Sequence, residues 1–197
     1  MFRKEPLKQA PGAKATGLHS IAGMLRGRKI EGGFETSGNK YSFTYSPKRA
    51  LLTGNQLLLD GRFEVTSPTI RTPRSIDNVK ATLLAIQGGI GNPPQREKLP
   101  SDISTKHPDL PIVESTGSIS FSGVLYFKLS LLDGRGLGIT ADMRQLQLNV
   151  RLAPVSDTER ALQADFSSIA DALYGKQTDP KWAESALNDL NKHLAGN

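Results

Sequence analysis

Across residues 117–152, apolar side chains recur at every second position. Ile119 and Phe121 alternate with serines, and after Gly123 the residues Leu125, Phe127, Leu129 and Leu131 keep the beat. Leu146, Leu148, Val150 and Leu152 resume it, with Gln147, Asn149 and Arg151 between them. Successive side chains on a strand point to opposite faces, so this spacing predicts strands with one face on a core and one in water. Asp133-Gly134-Arg135-Gly136 interrupts the pattern and predicts a turn.

The same alternation appears upstream. Tyr41, Phe43 and Tyr45 alternate with Ser42 and Thr44, giving a strand with an aromatic face, and Ser46-Pro47-Lys48-Arg49 is expected to end it. Leu51-Leu52 and residues 56–59 form short apolar pieces around Thr53-Gly54-Asn55. Asp60-Gly61 predicts a hairpin turn, because glycine accepts the positive φ of a type I′ turn. Phe63 and Val65 then continue to Ser67-Pro68. Residues 76–87 fit a strand face (Val79, Ala81, Leu83) and a helix face (Ile76, Val79, Leu83, Ile86) equally well. The brackets Thr72-Pro73 and Gly88-Gly89 favour the strand.

The end of the chain changes period. Ser156-Asp157-Thr158-Glu159 is a capping-box sequence, Leu162, Phe166, Ile169 and Leu173 share one helical face, and Gly175 is a stop. Asp179 with Pro180 opens a second helix, whose apolar stripe is expected to be Trp182, Ala186, Leu190 and Leu194, with Trp182 packed rather than serving as a ligand platform. The expected fold is therefore mainly β: an antiparallel β-sandwich or flattened β-barrel over residues 30–153, with two short C-terminal α-helices. Residues 154–197 would form a helical hairpin packed on the sheet, covering one opening or edge.

Charge is located rather than spread. Arg3, Lys4, Lys8, Lys14, Arg26, Arg28 and Lys29 against Glu5 account for the whole net charge of +6, and the rest of the chain balances. Residues 1–29, punctuated by Pro6, Pro11, Gly12 and Gly17, read as a flexible basic arm, within which Leu18, Ile21, Met24 and Leu25 make one amphipathic turn. Such an arm suits an acidic partner, an anionic surface or a neighbouring copy of the chain. No aromatic is interleaved with those charges to stack on bases, which argues against nucleic acid. With no cysteine, disulfides, thiolate metal sites and cysteine nucleophiles are excluded. No apolar run approaches the roughly 18–20 residues of a membrane-spanning helix, and Glu5, Pro6 and Lys8 stand where a signal peptide needs its apolar core. A soluble protein is expected, its compartment open.

The chemistry legible in the sequence is sparse. The long proline- and glycine-rich loop 88–111 is the first place to expect a site. His107 lies there near Asp102, Asp109 and Glu114, the residue types a hydrolase uses for acid–base work. His19 falls in the basic arm and His193 at the fraying end of the last helix. Neither Gly88-Gly89-Ile90-Gly91 nor Gly134-Arg135-Gly136-Leu137-Gly138 has the spacing of a phosphate loop or dinucleotide fingerprint, and no metal-ligand or nucleophile motif is present. No cofactor or metal is called for. Leu58-Leu59-Asp60-Gly61-Arg62 recurs as Leu131-Leu132-Asp133-Gly134-Arg135, through duplication or through two hairpins sharing one turn chemistry.

If both copies are turns, Arg62 and Arg135 sit at one end of the sheet. There they would hold an anionic ligand, or pair with Asp60 and Asp133. Tyr41, Phe43 and Tyr45, with Phe121 and Phe127, either fill the core or line a pocket for a small apolar ligand. The function expected is a non-catalytic binding or protein-interaction module on a β scaffold. Its alternatives are a subunit of a larger assembly held by the basic arm, and a hydrolase built around His107.

Overall fold

The computed structural model describes residues 18–88, 123–130, 132–175 and 179–196. Seven strands follow in order: β1 Ser20–Arg26, β2 Lys29–Thr36, β3 Asn39–Thr53, β4 Gln56–Ser67, β5 Ile70–Gly88, β6 Gly123–Ser130 and β7 Gln147–Leu152. Each pairs with the next and β7 returns to β1, so the sheet closes into a barrel. Every sequential pair is antiparallel, but β1 and β7 run parallel, with Ser20 beside Gln147 and Met24 beside Arg151. The expected all-antiparallel order fails at this one seam for a geometric reason. In an up-and-down barrel with an odd number of strands, the first and last point the same way.

Alternation holds along the strands. Ile21, Ile30, Phe43, Tyr45, Leu59, Phe63, Val65, Val79, Leu83, Leu125, Phe127, Leu148 and Val150 all point into one continuous core. The ambiguous residues 76–87 belong to β5, as the glycine and proline brackets indicated.

Three boundaries differ from the sequence reading. First, strands begin at Ser20, so residues 20–29 belong to the barrel and not to an arm. Arg26 and Arg28 are committed there: Arg26 Nη1 donates to the Ala153 carbonyl at 3.2 Å, and Arg28 Nε donates to the His193 carbonyl at 2.7 Å. Second, β3 does not stop at Pro47. The register with β4 shifts between Pro47 and Arg49, and this bulge accommodates a residue with no N–H to give. Third, Asp60-Gly61 is no hairpin. Both residues lie inside β4, opposite Arg49 and Pro47 on one side and Lys80 and Val79 on the other. Gly61 is there because a Cβ would sit 2.5 Å from the Ser46 carbonyl oxygen. Asp133-Gly134 does lie in a connection, where the turn closes through Leu137 and Ile139 N–H donating to the Gly134 carbonyl. Asp60-Gly61 and Asp133-Gly134, at the centre of the repeated pentapeptide, thus take two different structures, and a shared turn does not account for the repeat.

Both barrel ends are covered. At the end holding the β2–β3 turn, the connection 132–146 buries Leu132, Leu137, Ile139, Ala141, Met143 and Leu146, and Thr140 shares a hydroxyl contact of 3.5 Å with Ser37. At the other end lie helices α1 (Asp157–Tyr174) and α2 (Pro180–Ala195). The stripe Leu162, Phe166, Ile169 and Leu173 of α1 is buried, and Phe166 meets Phe127 edge-on at 6.2 Å. Gly175 stops α1 in extended rather than left-handed geometry, and the left-handed C-cap belongs to Gly196 at φ 88°. The inward face of α2 is Ala183, Ala186, Leu190 and Leu194. Trp182 falls off that face and is 44% exposed, which corrects its expected packing role.

α2 also answers an edge problem. β2 pairs with β3 only as far as Tyr45, so one edge of β3 beyond that point lacks a strand neighbour. There the Asn191 side chain acts like a piece of strand: its Oδ1 accepts from Ala50 N–H at 2.7 Å and its Nδ2 donates to the Ala50 carbonyl at 3.0 Å. Asn191→Ala is expected to cost about 1–3 kcal/mol, because it leaves two partly buried backbone groups unpaired. Urea unfolding of the variant beside the wild type measures this, and an unchanged midpoint would show that water replaces the amide at no cost.

Candidate functional site

The aromatic face, expected either to fill the core or to line a pocket, is buried among the described residues. Phe43 stacks on Phe63 with ring centroids 5.4 Å apart and planes at 10°, and Tyr41 stacks on Phe34 at 5.1 Å. Tyr45 is fully buried, and its hydroxyl donates to the Val79 carbonyl at 3.0 Å. Burial drives its phenol far above the ordinary range, and the nearby Asp60 charge adds to this. Tyr45 is therefore a neutral donor locking β3 to β5, not an acid–base group. Phe121 lies outside the described residues.

Arg62 and Arg135 occupy different kinds of element. Arg62 is mid-strand in β4, its Nη2 at 3.4 Å from Glu64 Oε2. Arg135 lies in the 132–146 connection, where its backbone N–H donates to Asp133 Oδ1 at 3.0 Å. No hydrogen bond or ion pair between described residues joins the two arginines. Asp60, the expected partner of Arg62, is instead held by Arg49 at 2.9 Å and Lys80 at 3.2 Å across three adjacent strands. Burial opposes its ionisation, but the bonds and charges of those two cations win and hold the carboxyl below the usual range. His107, Asp102, Asp109 and Glu114 lie outside the described residues. Among the described residues, no three His, Asp or Glu side chains are grouped to hold a metal ion.

The junction between helices and barrel is where polar groups converge. Ser156 caps α1 as predicted, its Oγ accepting from Glu159 N–H at 3.2 Å. The Ser156 N–H in turn acts on the Glu159 carboxylate, as the reciprocal half of a capping box does, but the carboxylate also reaches beyond the box. Its Oε2 accepts from Val155 N–H and its Oε1 from Gly27 N–H, both at 2.8 Å, and Arg26 Nη1 lies 3.9 Å away. Burial opposes the Glu159 charge, but these backbone donors and Arg26 outweigh it and lower its pKa. The shallow dent beside it, lined by Leu25, Leu152, Ala153, Pro154, Glu159 and Gln163, has no room for a water molecule.

At the far end of α2, His193 Nδ1 lies 2.6 Å from Asp165 Oδ2 on α1. Sequence reading placed His193 on a fraying terminus and gave Glu159 a purely local role. Their partners are 28 and 132 residues away, and nothing local announces such pairings. No family model, curated protein or solved structure matches the chain.

Proposed function

We propose that this chain is a non-catalytic binding module whose partner is a protein engaged from outside the barrel. Close packing among the described core residues supports this reading: Phe43, Phe63, Tyr45 and Phe127 are each at most 3% exposed, and described segments cover both barrel ends. A barrel that carries a small apolar ligand needs an interior cavity of a few hundred Å³. A rigid closed scaffold of this kind favours recognition through connections and chain ends. The long loop 88–111 leaves β5 at Gly88, on the end that also bears the helices, and together with the basic residues ahead of β1 it is the part we assign to specificity.

Native mass spectrometry of the full chain from its own source, compared with its denatured mass, tests the reading. The expected result is either the bare chain or the chain with a protein-sized partner. Where a partner is held, exchanging residues 89–111 for a glycine–serine linker should remove it without lowering Tm. A small-molecule excess of a few hundred daltons that vanishes on denaturation would overturn it, since such a ligand requires a cavity.

A further inference from the structure

We propose that the His193–Asp165 pair is a pH-dependent latch that sets how firmly α2 holds the open edge of β3. The pair joins the two helices at 2.6 Å, with the Asp165 side chain 11% exposed and the His193 side chain 39% exposed. Two residues before His193 on α2, Asn191 makes both hydrogen bonds to Ala50. One residue after the α2 terminus, Gly196 packs against the Arg28 guanidinium, whose Nε holds the His193 carbonyl. A change in how α2 sits on α1 is therefore transmitted directly to the β3 edge.

The charges around the pair set the direction. Asp189 is one helical turn before His193 on α2 and pairs at the surface with Lys192 at 2.9 Å. Asp165 comes from α1, and Arg28 approaches from the β1–β2 turn. Imidazole is the side-chain type whose charge ordinarily changes between pH 5 and 8. Burial raises the Asp165 carboxyl, the His193 charge opposes that rise, and Asp189 adds to it. A protonated His193 supplies a charge-assisted bond to the carboxylate, at a helix C-terminus that itself favours a cation. Loss of that proton leaves a poorly solvated carboxylate facing a neutral N–H. The sign follows from the pairing geometry, and the raised Asp165 carboxyl points the same way: the latch is tight under mildly acidic conditions and loosens as pH rises.

Hydrogen exchange at the Ala50 amide reads the latch on the full chain, after correction for intrinsic exchange rates. Opening at pH 8 is expected to be about three- to tenfold more frequent than at pH 6 in the wild type. His193→Gln should abolish this step. Asp165→Asn, which keeps the shape and removes the charge, should abolish it independently should the first variant fold poorly. A pH-independent wild type, or the same step in a folded variant, would overturn the proposal.

Discussion

Gly32→Ala is expected to destabilise the barrel by about 3 kcal/mol or more, lowering Tm by roughly 6–12 °C. A Cβ at this position would lie 2.3 Å from the Ala22 carbonyl oxygen, 2.7 Å from Phe43 Cε1 and 2.9 Å from Gly23 Cα. Two of those three atoms are backbone, so no rotamer change relieves the overlap. Gly23 and Gly32 face each other across β1 and β2, and Gly32 faces Phe43 across β2 and β3. The Phe43 ring occupies the volume the two glycines leave empty and stacks on Phe63 beyond them. Gly33→Ala is the internal control. Its Cβ would meet only the Tyr41 carbonyl oxygen, at 3.2 Å, and alanine restricts the unfolded chain equally at both sites. The control is expected to lie within about 1 kcal/mol of the wild type. Thermal melts of both variants decide the matter. Equal losses would show that strand entropy dominates, and that the glycine pair is not what admits the ring. Adding Phe43→Leu to Gly32→Ala should recover only part of the loss, because the Ala22 carbonyl remains in the way.

That packing explains why some strands were easy to read and β1 was not. Where the outward residues are polar, as with Ser42 and Thr44 between Tyr41, Phe43 and Tyr45, alternation is visible at once. In β1 the inward positions are Ile21, Gly23 and Leu25, while outward Ala22 and Met24 are themselves half-buried. A glycine inside and apolar residues outside erase the contrast on which periodicity depends. Pro47 and Asp60-Gly61 misled for a related reason. Both are turn residues by local chemistry, yet a bulge and a close backbone approach use the same properties inside a strand. The helix stop and start signals read correctly because they act within four residues of one another.

The junction was invisible because its information is shared between distant segments. Ser156 to Glu159 is complete as a local motif, so nothing in it suggests that the carboxylate also reaches Gly27. Asn191 has no sequence mark of its strand-like role, which exists only because β2 is shorter than β3. Closure of the sheet dictated these pairings, and closure itself could be read only as one of two possibilities.

Glu159→Gln should test how strongly that junction holds the hairpin. The carboxylate accepts Val155 N–H on one oxygen and Gly27 N–H on the other, with Ser156 N–H as a further backbone donor. An amide of the same shape keeps only one accepting oxygen, and it presents its own N–H to the donor on the other side. Glu159 is only 4% exposed, so the displaced donor has little water to turn to. The expected loss at pH 7 is about 2–4 kcal/mol, in the range for hydrogen bonds to a buried charge. Its pH dependence separates electrostatics from shape. The folded pKa lies below that of the unfolded chain, so the carboxylate's contribution is full above the unfolded value of about 4.3 and fades as pH falls through the folded one. The stability gap between wild type and Glu159→Gln should stay constant from pH 7 to about pH 5 and narrow towards pH 3. Urea titrations at those three pH values give the gap directly. A gap that persists unchanged at pH 3 would mean that the amide disturbs packing, and that the charge of Glu159 contributes nothing to joining α1 to the β1–β2 turn.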